Sequence, residues 1–222
     1  MTQETWSAVD HYVTDVLGLS DDILESTQKA CDDAGLPAIA VSVPQGKLLY
    51  LLARIRGAHR ILEIGTLGGY STIWMARALP SDGKLITLEI DQKHAEVARE
   101  NIARAGLAER AEVRIGPAIE SLPKIAAENS VPFDFIFIDA DKPSIPDYFT
   151  WSVKMSRPGT VIVVDNVVRE GKVVDEASDD AAVRGVRRLN EMLAHEKRVT
   201  ATTLQTVGTK GYDGLTVILV NG

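Results

Sequence analysis

The 222-residue chain is 45% hydrophobic and 25% charged, with a mean hydropathy of zero and a net charge of −7. That acidic balance argues against a broad nucleic-acid surface, which needs clustered Lys and Arg. One cysteine, Cys31, excludes an intramolecular disulfide or a thiolate metal cluster, and no run of about 18 apolar residues is present to span a bilayer.

The opening residues lack the charged-then-apolar layout of a secretory signal, so a cytoplasmic protein is expected. Two or three helices are read before residue 58, over 5–17, 20–35 and 44–56. Pro44 suits the start of the last, because a first helical turn needs no proline N–H. From residue 58 the texture alternates. Strand-like runs occupy 60–65, 84–90, 111–116, 133–139 and 160–166, several of them apolar at nearly every position. Such runs suit strands buried on both faces of a parallel sheet. Helical patterns fall between them, at 70–79, 92–105, 117–127 and 145–155. Strand–helix repetition of this kind implies right-handed crossovers and a doubly wound α/β sheet.

The C-terminal part reads differently. A helix over 180–195 precedes two strand-like runs, 198–207 and 215–220, joined by the glycine-rich GTKGYDG. A short link of that composition makes a hairpin, so the last strand is expected to run antiparallel. The polar stretch 169–180 is expected to be a mobile loop over a site. The length fits one domain over 1–222, with 58–222 as its α/β core.

In open α/β sheets ligands bind beyond the carboxyl ends of the strands. The first strand ends in EIGTLGGYS, whose glycines Gly65, Gly68 and Gly69 let backbone approach a ligand closely. Their spacing is neither G-x-G-x-x-G nor a P-loop. The second strand ends in Glu89, whose carboxylate can accept from the hydroxyls of a ribose. Gly116, Pro117 and Ala118 end the third, small enough to admit an adenine ring.

Two further strand ends carry acids: Asp139-Ala140-Asp141-Lys142 and Asp165-Asn166. Asp139, Asp165 and Asn166 make an all-oxygen set suited to Mg²⁺, Mn²⁺ or Ca²⁺. Each aspartate alone reads as a helix cap, and Lys142 alone as a surface lysine paired with Asp141. Together they suit activation of a phenol, whose pKa of about 10 makes it a poor nucleophile at neutral pH. Lys142 is the candidate general base. The four histidines, His11, His59, His94 and His195, share no ligand spacing and read as structural or surface residues.

The runs VSVPQGKLL, ILEIGTLGGYSTIWMARALP, GKLITLEID, FDFIFIDADK, VIVVDNVV and LQTVGTKGYDGL resemble the cation-dependent O-methyltransferases, the caffeoyl-CoA and catechol type, in their bacterial branch. The resemblance covers 41 to the C-terminus. It implies a Rossmann-like seven-stranded sheet with the last strand antiparallel, the class I methyltransferase fold. It implies methyl transfer from S-adenosyl-L-methionine (SAM) to a hydroxyl of a small phenolic acceptor, assisted by a divalent cation. By motif, the metal ligands fall on Asp139, Asp165 and Asn166 and the base on Lys142. Cofactor contacts fall on Val41, Glu63, Gly65, Thr66, Ser71, Glu89, Ala118 and Asp141. It also implies a homodimer, with residues 1–57 contributing to the acceptor pocket or the dimer. Two positions depart from the pattern: Glu170 replaces an asparagine of the plant enzymes, and Asp141 a bulky aromatic of the catechol enzyme. The readings set against this one are a nicotinamide-dependent oxidoreductase and a non-catalytic nucleoside-binding protein.

Overall fold

Seven strands form one sheet in the computed structural model, which describes residues 2–128 and 131–222. In chain order they are β1 (Arg60–Ile64), β2 (Lys84–Glu89), β3 (Ala111–Ile115), β4 (Phe133–Ile138), β5 (Ser156–Asp165), β6 (Val199–Gly208) and β7 (Gly211–Val220). The spatial order is β3-β2-β1-β4-β5-β7-β6. The first five strands are parallel, and β7 runs antiparallel to both β5 and β6. The reversed last strand is therefore present as expected. The order also reverses between β1 and β4, the kind of switch point at which such sheets bind ligands.

Alternation along each strand builds two cores. Ile61, Leu85, Phe135, Phe137 and Val163 face one layer, with α3 (Val43–Arg56), α4 (Tyr70–Ala78) and α5 (Gln92–Arg104). Leu62, Ile64, Leu88, Ile136, Ile138 and Val164 face the other, with α6 (Ala118–Glu128), α7 (Ile145–Lys154) and α8 (Ala181–His195). Both faces of the central strands are covered, which is why their sequences are apolar almost throughout.

Two boundaries differ from expectation. Strand β7 begins at Gly211, so only Thr209 and Lys210 turn the hairpin. The Tyr212-Asp213-Gly214 stretch reads as loop but pairs with Val207, Thr206 and Gln205. A Cβ on Gly214 would lie 2.5 Å from the Leu204 carbonyl oxygen, so this glycine serves close strand approach. Strand β5 begins at Ser156, ahead of the expected 160, with an irregularity in its pairing to β4. There Thr160 Oγ1 accepts from Arg157 N at 3.0 Å and donates to the Phe133 carbonyl at 2.7 Å.

The N-terminal helices α1 (Gln3–Val16) and α2 (Asp22–Asp33) precede α3. Gln3 Nε2 donates to the Gly208 carbonyl at 2.8 Å, and Asp10 Oδ2 accepts from Thr209 N at 2.8 Å, which fastens α1 to the hairpin turn. No residue of α1 is buried, and Val9, Tyr12 and Val16 stand open to solvent. Among the described residues no helix is long and apolar enough to cross a membrane. The 169–180 stretch, expected to be a mobile loop, is tied to the rest of the fold near its start. Asp213 Oδ1 accepts from the Val168 and Arg169 amides at 2.9 Å each, and Arg187 Nη1 donates to the Val173 carbonyl at 2.9 Å.

Candidate active site

Register brings the strand ends together. Ile64 pairs with both Leu88 and Ile138, and Ile138 pairs with Val164. Gly65, Glu89, Asp139 and Asp165 therefore share one edge of the sheet. The loop after β1 needs unusual backbone: Gly65 has φ 100°, Leu67 φ 50° and Gly69 φ 84°. A Cβ at Gly65 would stand 2.2 Å from the Asp139 carbonyl oxygen, so the loop lies directly on the end of β4.

Glu89 holds that loop in place. Its Oε2 accepts from the Thr66 and Leu67 amides at 3.2 and 2.7 Å, and its Oε1 from Asp91 N at 2.9 Å. Amide hydrogen bonds to a carboxylate are charge-assisted and fix its orientation. His94 Nδ1 lies 3.7 Å from Glu89 Oε1. Glu63 is fully buried and accepts from Ser71 Oγ at 2.5 Å and from the Thr72 hydroxyl. Burial pushes its carboxyl up to about 7, against the lowering effect of those hydroxyls.

At the other end, Lys142 Nζ donates to Asp139 Oδ1 at 2.8 Å. Its partner is thus Asp139, not Asp141 as the surface-pair reading had it. Asp141 caps the short 3-10 turn Lys142–Ser144 through Ser144 N and accepts from Tyr148 Oη at 2.5 Å. Asp165 is buried; its Oδ1 accepts from Asn166 N at 2.7 Å and its Oδ2 from Gln45 Nε2 at 2.6 Å. It caps no helix. Burial and the like charge of Asp139 raise the Asp165 carboxyl well above the ordinary range, while Lys142 and Gln45 pull it back. Asn166 adopts φ 56°, a left-handed conformation that asparagine tolerates better than most residues.

A cavity of about 730 Å³ joins the two ends. Val41, Gly65, Thr66, Ser71, Glu89, Ala118, Asp139, Asp141, Lys142 and Asn166 all line it. Glu63 and Asp165 are not among its walls; Glu63 stands behind Ser71, and Asp165 beside Asn166. The sequence reading missed three neighbours. His94 follows Glu89 by five residues and lines the cavity. Tyr148 also lines it, and its only sequence signal was an apolar helical stripe. Gln45 carried a signal, the S-x-x-Q spacing of a capping box at Ser42, but one pointing to a local role.

Comparison with known proteins assigns the chain. The O-methyltransferase family model matches residues 15–219. The chain belongs to the O-methyltransferase family. It is 54% identical to the catechol O-methyltransferase of Niastella koreensis, over 99% of this chain and 100% of that one. Its fold superposes with a TM-score of 0.98 on the O-methyltransferase from Bacillus cereus in complex with SAH, at 58% identity over 99% and 100% of the two chains. The O-methyltransferase TomG from Streptomyces achromogenes, involved in tomaymycin synthesis and solved in complex with SAM, gives 0.97 at 55% identity over 100% of both chains. The enzyme class expected from the motifs, a SAM-dependent O-methyltransferase on a class I fold, is established by these matches, and the oxidoreductase reading falls.

Proposed function

We propose that this enzyme methylates a hydroxyl of a catechol-like or other vicinal-oxygen phenolic acceptor, with SAM in the 730 Å³ cavity and a divalent cation at Asp139, Asp165 and Asn166. The observation that carries the reading is the continuity of that cavity from Glu89 and Ala118 to Asp139, Lys142 and Asn166. Donor and acceptor ends thus open into one space. The relatives named catechol O-methyltransferase, and those solved with SAH or SAM, support it.

In this reading the adenine lies by Ala118, the ribose hydroxyls reach Glu89, and the methionine part passes Gly65, Thr66 and Ser71 toward Val41. Asp141 borders the cofactor from the β4 side. Glu63 contributes by holding the Ser71 hydroxyl at the wall. Residues 39–41 wall the cavity, which favours a share for the N-terminal segment in shaping the acceptor pocket.

The donor set suits a hard cation. Among the described residues no cluster of three or more His, Cys, Asp or Glu forms, and the set here is two carboxylates and one amide oxygen. Mg²⁺ is commonly held in this way, by one or two carboxylates with the remaining positions left to water and substrate oxygens. Burial and the neighbouring Asp139 charge together raise the Asp165 carboxyl, and a bound cation would offset both effects. When bound, such an ion would polarise an acceptor hydroxyl and favour its ionisation.

In this reading Lys142, in its neutral form, takes the acceptor's proton; its Nζ lies 2.8 Å from Asp139 Oδ1, at the same end of the cavity. As the oxygen attacks the sulfonium methyl in line, an O–C bond forms and the C–S bond breaks. Its electron pair stays on sulfur, leaving SAH and a methyl ether. Alignment of the two bound reactants supplies most of the acceleration, since well-oriented pairs reach effective molarities of about 10⁵–10⁸ M. The homodimer implied by the family resemblance is retained in this proposal, with the exposed apolar side chains of α1 as its candidate surface.

Mass spectrometry of a vicinal-diphenol panel tests the function. Mono-methylated product is expected with SAM and Mg²⁺, with reversible loss in EDTA. SAH binding without product from any diphenol in Mg²⁺, Mn²⁺ or Ca²⁺ would overturn the acceptor class.

A further inference from the structure

Helix α3 opens with Ser42 as its N-cap, whose Oγ accepts from Gln45 N at 3.3 Å. In a capping box the glutamine side chain would turn back to the N-cap amide. Here Gln45 Nε2 reaches across the fold to Asp165 Oδ2, 2.6 Å away and 120 residues distant in sequence. The neighbouring residue explains how the helix comes so near. A Cβ on Gly46 would lie 2.4 Å from the Trp74 indole, so the first turn of α3 is pressed onto α4 and has little freedom.

Asp165 needs such a partner. Its side chain is buried, its Oδ1 is engaged by Asn166 N, and the carboxylate Asp139 neighbours it on the next strand. A neutral amide orients the carboxylate without contributing a charge that would repel a cation, and it stays a donor at every working pH. Lysine or arginine at this place would compete with the ion for the same oxygens.

We propose that Gln45 is a positioning residue for the metal-holding carboxylate of Asp165, setting cation affinity from the first turn of α3. The inference rests on the cation reading above. Outer partners that orient ligating carboxylates are typically worth about 10–100-fold in metal affinity or activity.

The test is direct Mn²⁺ binding to the full chain, followed by electron paramagnetic resonance of the free ion, with SAH affinity by calorimetry and Tm as controls. Gln45→Met keeps the length and removes the donor. It is expected to weaken Mn²⁺ binding roughly 10–100-fold while SAH affinity stays within about twofold of wild type. Gln45→Asn, polar but one carbon short, covers the case in which the apolar variant does not fold; it too is expected to bind Mn²⁺ more weakly. Mn²⁺ affinity unchanged in a variant that still binds SAH overturns the role of Gln45. A wild-type protein that binds SAH but no Mn²⁺ overturns the cation reading, and this inference with it.

Discussion

Replacing Gly65 by alanine tests the packing that joins the loop after β1 to the acidic end of the site. Two costs add. The added Cβ would meet the Asp139 carbonyl oxygen at 2.2 Å, backbone that cannot swing aside, and overpacking of this kind costs about 1–3 kcal/mol. The residue also holds φ 100°, and a side chain at positive φ costs about 1–2 kcal/mol more. The sum, about 2–5 kcal/mol, corresponds to a Tm loss of roughly 4–20 °C for a chain of this size. Gly106 supplies the control: its φ is 70°, but nothing lies within 4 Å of an added Cβ. Gly106→Ala should therefore lose only the conformational part, roughly 2–8 °C. The functional consequence separates the two variants further. Relief of the clash moves the end of β4, which carries Asp139 and, through it, Lys142. A displacement of about 1 Å at reacting groups costs on the order of 100-fold in rate. Thermal unfolding by circular dichroism, SAH calorimetry and turnover with a vicinal diphenol give the readouts. Equal Tm losses in the two variants, with SAH affinity and turnover of Gly65→Ala unchanged, would refute the claimed contact.

Lys142→Met should lower kcat by about 10²–10⁴-fold with SAH affinity preserved, and Lys142→Arg should not restore it, because guanidinium does not give up its proton; steady-state kinetics with calorimetry decide. In protein stripped of cations, the folded-state pKa values of Asp165 and Glu63, each raised to about 7, exceed the unfolded values near 4. The folded state then holds protons that the unfolded chain has released, so Tm should fall as pH rises through that window. Asp165→Asn should flatten the decline, and Mg²⁺ should raise the wild-type Tm more at pH 8 than at pH 5.5, since a ligating carboxylate must be ionised; an equal Mg²⁺ effect at both values would contradict this. Asp134, buried at the opposite edge, accepts from His59 N at 2.9 Å, Arg60 N at 3.1 Å and Arg157 Nη2 at 2.5 Å. Asp134→Ala removes the acceptor of two backbone amides and should cost about 2–6 kcal/mol, or roughly 4–24 °C in Tm, while leaving SAH affinity near wild type, as calorimetry and thermal melts will show.

Much of this was legible in one dimension. The apolar runs ending in EIG, LEI, FID and VVD announce buried parallel strands with polar residues near their carboxyl ends, because a strand covered on both faces holds few polar positions along its length. Asp139, Lys142, Asp165 and Asn166 stood out for that reason. The boundary errors at β5 and β7 have the opposite origin. Glycines at 211 and 214 are turn formers by local chemistry, and only the partner strand reveals that Gly214 admits the Leu204 carbonyl.

What the sequence by itself determined is the periodicity: which stretches are strands, which are helices, and which side chains stand at the ligand edge of the sheet. Periodicity acts between residues a few positions apart, so it survives in a string of letters. What only the tertiary structure decided is which of those side chains meet. Glu63 turns to Ser71 and Thr72 instead of the cavity, Lys142 pairs with Asp139 instead of Asp141, and Gln45 leaves its own helix cap for Asp165. Each choice is made by neighbours distant in sequence or by the turn between them. The strength of a hydrogen bond depends on separation and angle in space, and no spacing along the chain records either.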